Sequence, residues 1–258
     1  MVFDAYFSRY DLKLMGLSGD MNRPIYRYLA DRKWREYKRL VMMQRITQMN
    51  VVPDVLPHLD PTAAIDLAFG RRNVQPGEFV DSRVSEIPPK LNIQVFDKGE
   101  RPVTIMVLDS DVPNVEEDRF DYRCHFLATN IPLSPTITSI PFRHLSAETQ
   151  IVLPWLPPHA QKGSPYHRLS IFVLQQTEGK TLDIEVMRRK EQRHGFNIRS
   201  FNDRHQMKAI GVHLFRNTWD EGTAGVMTRA GLGGADMELK RKKVEPLPYK
   251  KKDGARYR

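Results

Sequence analysis

The sequence predicts a mainly β protein of the α+β class: an antiparallel β-sandwich with a basic helical extension before it and a basic tail after it. Three observations carry this. From about residue 71 the chain breaks into short apolar or alternating runs separated by Pro, Gly, Asp and Asn clusters, the texture of a sandwich rather than of alternating βα units. Between Pro24 and Pro53 neither glycine nor proline interrupts the chain, which suits one long helix with Pro24 in its first turn. The net charge of +9 is concentrated at the two ends. Together they divide the chain into an N-terminal helical extension with a Pro-rich linker (1–70), a central domain (71–222) and a Gly-rich, then basic, C-terminal extension (223–258).

In chain order, the helix is expected over residues 24–50. Ala30, Trp34, Tyr37 and Val41 fall at helical spacing and form one apolar stripe, with Arg and Lys over much of the remaining surface. Such a helix either packs on its own domain with a solvated basic face, or lies along phosphate with its aromatic stripe docked on protein or a base. Residues 51–61 hold three prolines and read as a stiff, extended linker. Residues 62–69 read as a short helix. Strands are expected at 91–96, 103–108, 125–130, 149–153, 169–175 and 182–186. Residues 196–201 and 211–219 close the domain, the latter as an aromatic-rich strand. From Ala224 the chain becomes Gly-rich, with Gly231, Gly233 and Gly234 as a flexible joint, and then highly charged, too poor in apolar surface to fold alone.

Charge placement says more than its sum. Residues 22–46 carry net +6 and residues 240–258 net +7, which leaves −4 on everything else. A mildly acidic body between two basic arms is the footprint of a chain that neutralises phosphate. The candidate RNA- or partner-binding residues are Arg23, Arg27, Arg32, Lys33, Trp34, Arg35, Lys38 and Arg39 in the first arm. Lys240, Arg241, Lys242, Lys243, Lys250, Lys251 and Lys252 are their counterparts in the last. Tyr26, Tyr28, Trp34, Tyr37, Tyr249 and Tyr257 are interleaved with this charge, as suits stacking on unpaired bases. A basic helix can equally pair with an acidic partner helix.

Several function classes lack residues to stand on. There is no G-x-S-x-G nucleophile elbow, no H-E-x-x-H, and the eight histidines are scattered. Gly231–Gly234 has no preceding strand and no phosphate-loop lysine. No catalytic residue, metal site or cofactor is therefore expected. The single cysteine, Cys124, excludes an internal disulfide and fits a reducing compartment. No run of ~20 apolar residues exists, so no stable membrane insertion is expected. Asp4, Asp11 and Asp20 interrupt the acid-poor pattern of a mitochondrial presequence, so targeting is either unconventional or the leader already removed.

Three patches, taken together, resemble the phosphatidylethanolamine-binding protein (PEBP) family. Asp109-Ser110-Asp111-Val112-Pro113 follows a strand, as the family's D-P-D-A-P does. His125-Phe126-Leu127-Ala128-Thr129-Asn130 is similar to its H-[apolar]3-x-N segment. Pro157-Pro158 followed by Gly163-Ser164-Pro165-Tyr166-His167-Arg168 is similar to its P-P-x-G-x-G-x-H-R run. The resemblance covers roughly residues 74–219 and implies a Greek-key antiparallel β-sandwich of PEBP type with a small anion pocket. It also implies that Asp109, His125 and His167 line that pocket, braced by Asp111 and Arg168. Ser110, Val112, Pro165 and Leu169 depart from the family pattern, so the pocket is expected to survive as a vestige rather than as a headgroup site. Asp109 and Asp111, one residue apart at a turn, are expected to cap backbone N–H groups rather than act as an acid/base pair.

The long basic helix, altered pocket and basic tail are together similar to PEBP-like proteins of the mitochondrial large ribosomal subunit, in a fungal version. That resemblance implies a structural role at the central protuberance in the mitochondrial matrix. The implied partners are mitochondrial rRNA and other mitochondrial large-subunit ribosomal proteins.

Overall fold

A six-stranded sheet buried on both faces organises the chain. The computed structural model describes residues 20–240 except Glu178. The strands are β1 (Ala64–Phe69), β2 (Arg72–Val74), β3 (Glu78–Phe79), β4 (Lys90–Gln94), β5 (Arg101–Asn114), β6 (Arg119–Leu133), β7 (Ser139–Pro141), β8 (Ile151–Leu153), β9 (His167–Gln175) and β10 (Lys208–Asn217). The large sheet runs β3-β10-β9-β5-β6-β8 and faces a four-stranded sheet ordered β2-β1-β4-β7. All pairings are antiparallel except β3 with β10.

Two cores lie on either side of the large sheet. The first fills the sandwich, with Ile65, Leu67, Leu91, Ile93, Ile105, Val107, Phe126, Ile171 and Phe215 among its members. The second lies on the far face and joins Met106, Leu108, Leu127, Phe172, Leu174, Val212 and Leu214 to a layer of helices. Burial on both faces explains why β5 is an unbroken apolar run rather than an alternating one: every residue from Val103 to Ser110 is buried.

That helical layer is where the sequence expectations fail. Residues 182–186 form not a strand but the start of helix α5 (Ile184–Lys190), and residues 196–201 enter α6 (Ile198–His205). Asp183 caps the first by accepting from Glu185 and Val186 N–H groups, and Asn197 caps the second by accepting from Ser200. Ile184 with Met187, and Ile198 with Phe201, lie three apart on one face and bury it. Residues 62–69, expected as a helix, form β1 instead, because Ile65, Leu67 and Phe69 alternate inward.

The N-terminal helix is present, built from α1 (Pro24–Lys33), a π-helical turn (Trp34–Lys38) and α2 (Arg39–Gln48). Within the π-turn the Arg39 N–H bonds to the Trp34 carbonyl, five residues back. The extra residue advances the buried face. Trp34 is followed on it by Met42 and Ile46, and Tyr37, expected in the stripe, turns outward to 72% exposure. Residues 51–61 are likewise not an extended linker. A helical turn, α3 (Val51–Asp54), opens them, and Val51, Val55, Leu56 and Leu59 are buried in the second core. Past β10, beside a short turn α4 (Ser82–Ser85), the expected Gly-rich stretch begins with helix α7 (Thr223–Arg229), which buries Val226 and Met227.

Candidate anion pocket and basic helix

Strand register brings the three motif patches together. Asp109 on β5 stands opposite Arg123 on β6 and Leu169 on β9. His125 lies two residues along β6 and His167 opens β9, so both imidazoles converge on the Asp109 carboxylate. All three side chains are buried. His167 Nδ1 lies 2.7 Å from Asp109 Oδ2, a hydrogen bond. His125 Nε2 is 3.7 Å from the same oxygen, too long for one. The other ring nitrogen of His125 meets the Leu156 carbonyl at 2.9 Å.

Burial by itself would push the Asp109 carboxyl up. The imidazoles of His125 and His167 outweigh it and hold the group well below the ordinary carboxylate range. Asp109 also caps the turn, accepting the Asp111 N–H at 3.0 Å through Oδ1. Its neighbour Ser110 is buried with a hydroxyl that meets no partner.

Two groups that motif reading did not single out complete the pocket. Arg123 Nη1 lies 2.6 Å from His159 Nε2, and His159 Nδ1 lies 3.0 Å from the Pro157 carbonyl. Burial, then the Arg123 charge, press His159 down to about 4, so it stays neutral. His159 directly follows Pro157-Pro158, and that adjacency was its only signal in the sequence. A cavity of about 230 Å³ lies beside them, lined by Arg123, His159, His194, Met227, Leu232 and Gly233; Asp109, His125 and His167 do not line it. The C-terminal segment thus forms one wall. It continues over the pocket loop, where the Leu239 N–H bonds to the Lys162 carbonyl at 2.8 Å and Leu239 O presses on Gly163.

The row Ser164, His167, Asp109 has the order of a hydrolase triad without its geometry. Ser164 Oγ donates to the Gln161 carbonyl at 2.8 Å, and His167 Nε2 stands back at 3.4 Å. The hydroxyl proton is therefore directed away from the imidazole that would have to take it. The cluster is not arranged to activate a nucleophile.

Asp111 and Arg168 sit beside the pocket and do something further. Arg168 donates to Asp111 through Nε at 2.8 Å and Nη2 at 2.7 Å, and its backbone N–H adds a third bond at 2.8 Å. Its Nη1 reaches the Met49 carbonyl at 2.7 Å and Asp54 at 3.1 Å. Its hydrogen bonds to Asp111, opposed by burial, hold the guanidinium above its usual value.

On the basic helix, many of the expected contact residues meet acids or carbonyls of this chain. Arg32 bonds to Glu36 at 2.9 Å, Arg35 to Asp31 at 2.7 Å and Lys38 to Asp66 at 3.1 Å; Arg39 pairs with Asp60. Arg23 faces Asp20 at 3.6 Å, and Arg27 donates to the Met21 and Asn22 carbonyls. Lys33 is exposed and makes no ion pair among the described residues. Trp34 is buried against Phe96 at 5.4 Å between ring centroids. Helix α1 has no fully buried residue; Arg32 and Lys33 are exposed and Arg27 is half-buried. Lys240 pairs with Glu238 at 3.3 Å. Arg241, Lys242, Lys243, Lys250, Lys251, Lys252, Tyr249 and Tyr257 lie outside the described residues. No described helix is long and apolar enough to cross a membrane.

Residues 62–215 match the family model of the phosphatidylethanolamine-binding protein. The chain belongs to this family. Its fold agrees with solved members: a phosphatidylethanolamine-binding protein from Plasmodium vivax superposes with a TM-score of 0.56 at 16% identity, covering 69% of this chain and 97% of that one. The carboxypeptidase Y inhibitor, solved with its cognate proteinase, superposes with a TM-score of 0.54 at 11% identity, covering 70% and 96%. The superposition covers nearly all of both solved chains, whereas this chain extends beyond it. Among curated proteins, it is 28% identical over 214 residues to the large ribosomal subunit protein mL38 of Schizosaccharomyces pombe, covering 81% of this chain and 67% of that protein.

Proposed function

We propose that this chain is a structural, non-catalytic component of the mitochondrial large ribosomal subunit in the mitochondrial matrix. In this reading it sits at the central protuberance and binds mitochondrial rRNA and neighbouring ribosomal proteins through the basic extensions around its PEBP domain. One observation carries it. The likeness to the fungal ribosomal protein extends over 214 residues, longer than the matched domain 62–215, so it includes chain outside the PEBP fold. The extensions are what distinguish this chain from the compact PEBP structures, and they carry its positive charge. Lysine and arginine neutralise backbone phosphates and release counterions, which gives strong, salt-dependent and largely sequence-independent binding. A pocket walled by the chain's own Met227 and Leu232 fits a domain used as a rigid body.

Sedimentation of gently lysed mitochondria tests the reading. The protein should travel with large subunits and move to the top of the gradient after ribonuclease digestion. Migration as a free 30.0 kDa protein in both samples would overturn it.

A second reading, a free phosphoanion- or headgroup-binding regulator, draws on His125 Nε2 and Arg123 Nε, both buried without a hydrogen-bond partner near Asp109. It requires that substituting His125 or His167 abolish function while removal of the extensions is harmless.

A further inference from the structure

A groove of about 660 Å³ runs between the N-terminal helix and β1, β2 and β4. We infer that this groove seats one unpaired nucleotide of single-stranded RNA, its base stacked on Tyr37 and its edge read by Asn73 and Asn92. The site rests on the RNA-binding reading above and gives it a location away from the helix's outer charge.

The argument begins with Tyr37. The π-turn rotates it out of the packed stripe, leaving a large aromatic ring 72% exposed on the groove wall. An exposed tyrosine on a rigid helix offers a stacking face at little entropic cost. On the facing sheet, Ala68 pairs with Asn73 and Asp66 with Asn92, so two amides project from the same outer surface. Amides supply the paired donor and acceptor that base edges require.

Deeper, on the sandwich face of β10 opposite Ile171, His213 is 1% exposed and its Nδ1 has no hydrogen-bond partner. A buried, unpartnered imidazole nitrogen calls for a ligand atom or a water. Burial holds this ring down at about 4, against the nearby Asp66 charge and a backbone hydrogen bond to Val74, so it is neutral. Charge at the rim has the sign a phosphodiester needs. Lys90 makes no ion pair among the described residues, and Lys38 offsets Asp66, the one acid in the wall, at 3.1 Å. The volume falls within the ~300–1,000 Å³ of small-ligand sites, enough for a nucleotide.

The test is binding of a fluorescent, mixed-sequence single-stranded RNA decamer to the full chain at fixed salt, with duplex RNA as control. Tyr37→Ala should weaken single-strand binding roughly tenfold, the scale of one lost stack, and leave duplex binding unchanged. Lys90→Ala should lower the salt slope by about one phosphate contact. With 4-thiouridine in the strand, photocrosslinks should fall on the peptide that contains Tyr37. Wild-type affinity in Tyr37→Ala, which is too exposed to unfold the chain, overturns the site. So does a native particle in which a protein segment, not RNA, crosslinks into the groove. Cosedimentation with ribosomes alongside wild-type binding by Tyr37→Ala removes the groove and keeps the ribosomal reading. Loss of binding in Tyr37→Ala by a protein that never cosediments keeps the groove and removes that reading.

Discussion

Arg168 clasps Asp111 with its Nε at 2.8 Å and Nη2 at 2.7 Å, and the same guanidinium reaches Met49 and Asp54 in the N-terminal extension. A motif pair that the resemblance casts as a brace for the pocket is therefore also the clamp that fastens the helical extension to the sandwich. Arg199 repeats the device from α6, donating to the carbonyls of Pro53, Asp54 and Val55.

Breaking that clamp should be costly. Arg168→Ala leaves Asp111 largely buried without its partner, and a loss of about 3 kcal/mol is expected. Urea denaturation should show a lower midpoint with an unchanged slope. Arg168→Lys should not rescue it, since an ammonium cannot span both oxygens of Asp111 and the Met49 carbonyl together. Full stability of the lysine variant would count against the clamp.

The π-turn makes opposite forecasts for two residues of one helix. Ile46, fully buried, should cost about 2–5 kcal/mol when changed to alanine. Tyr37→Ala should stay within about 0.5 kcal/mol of the parent. Thermal or urea midpoints of the two variants decide it; a regular α-helix would bring Tyr37 back toward the buried face and Ile46 away from it.

Acid should destabilise the fold in two stages. Burial holds His159 and His213 at about 4, against an ordinary value of 6.5. Between those values the unfolded chain binds more protons than the folded one. Stability therefore falls as pH drops through that window, by on the order of 1.4 kcal/mol per unit for each imidazole. Below it the Asp109 carboxylate takes over. Its depressed folded value means that its contribution is complete above the unfolded carboxylate range of about 4 and is lost in stronger acid. Denaturation midpoints that stay level from pH 7 to pH 5 would contradict the first stage.

Gly163 is held at φ +87°, and a Cβ there would lie 2.1 Å from Leu239 O. Gly163→Ala should lift the C-terminal segment off the pocket loop. Trypsin should then cut after Lys240 and Arg229 faster than in the parent, while the sandwich keeps its melting temperature to within a few degrees.

Cys124 is fully buried, and burial pushes its thiol up to about 12. Alkylation by iodoacetamide should be negligible in the native protein and prompt in denaturant. Fast labelling without unfolding would show that β6 opens locally.

The histidine pocket was legible because its residues sit in short runs whose order survives in the sequence: Asp109-Ser110-Asp111, His125 and His167-Arg168. Arg123 and His159 were not, since neither belongs to those runs and only strand pairing brings them together. The strands with apolar runs buried on both faces, β5, β6, β9 and β10, were anticipated; the helices on the far face were not. A seven- or eight-residue helix such as α5 or α6 offers only two inward positions, too few to tell a period of about 3.6 from an alternating strand. The caps Asp183 and Asn197 were the signal available.

By itself, the sequence determined the class, the family and the charge layout, because apolar runs, turn residues and motif spacing are local properties written in order along the chain. The tertiary structure alone decided which face of the N-terminal helix is buried, since one extra residue in the turn after Trp34 shifts the stripe to Met42 and Ile46. It alone converted residues 51–61 from a linker into core, because Val51, Val55 and Leu59 find apolar surface only where α6 and the large sheet present it. And it alone closed the pocket wall with Met227 and Leu232, which are far from the histidines in sequence and meet them only through packing.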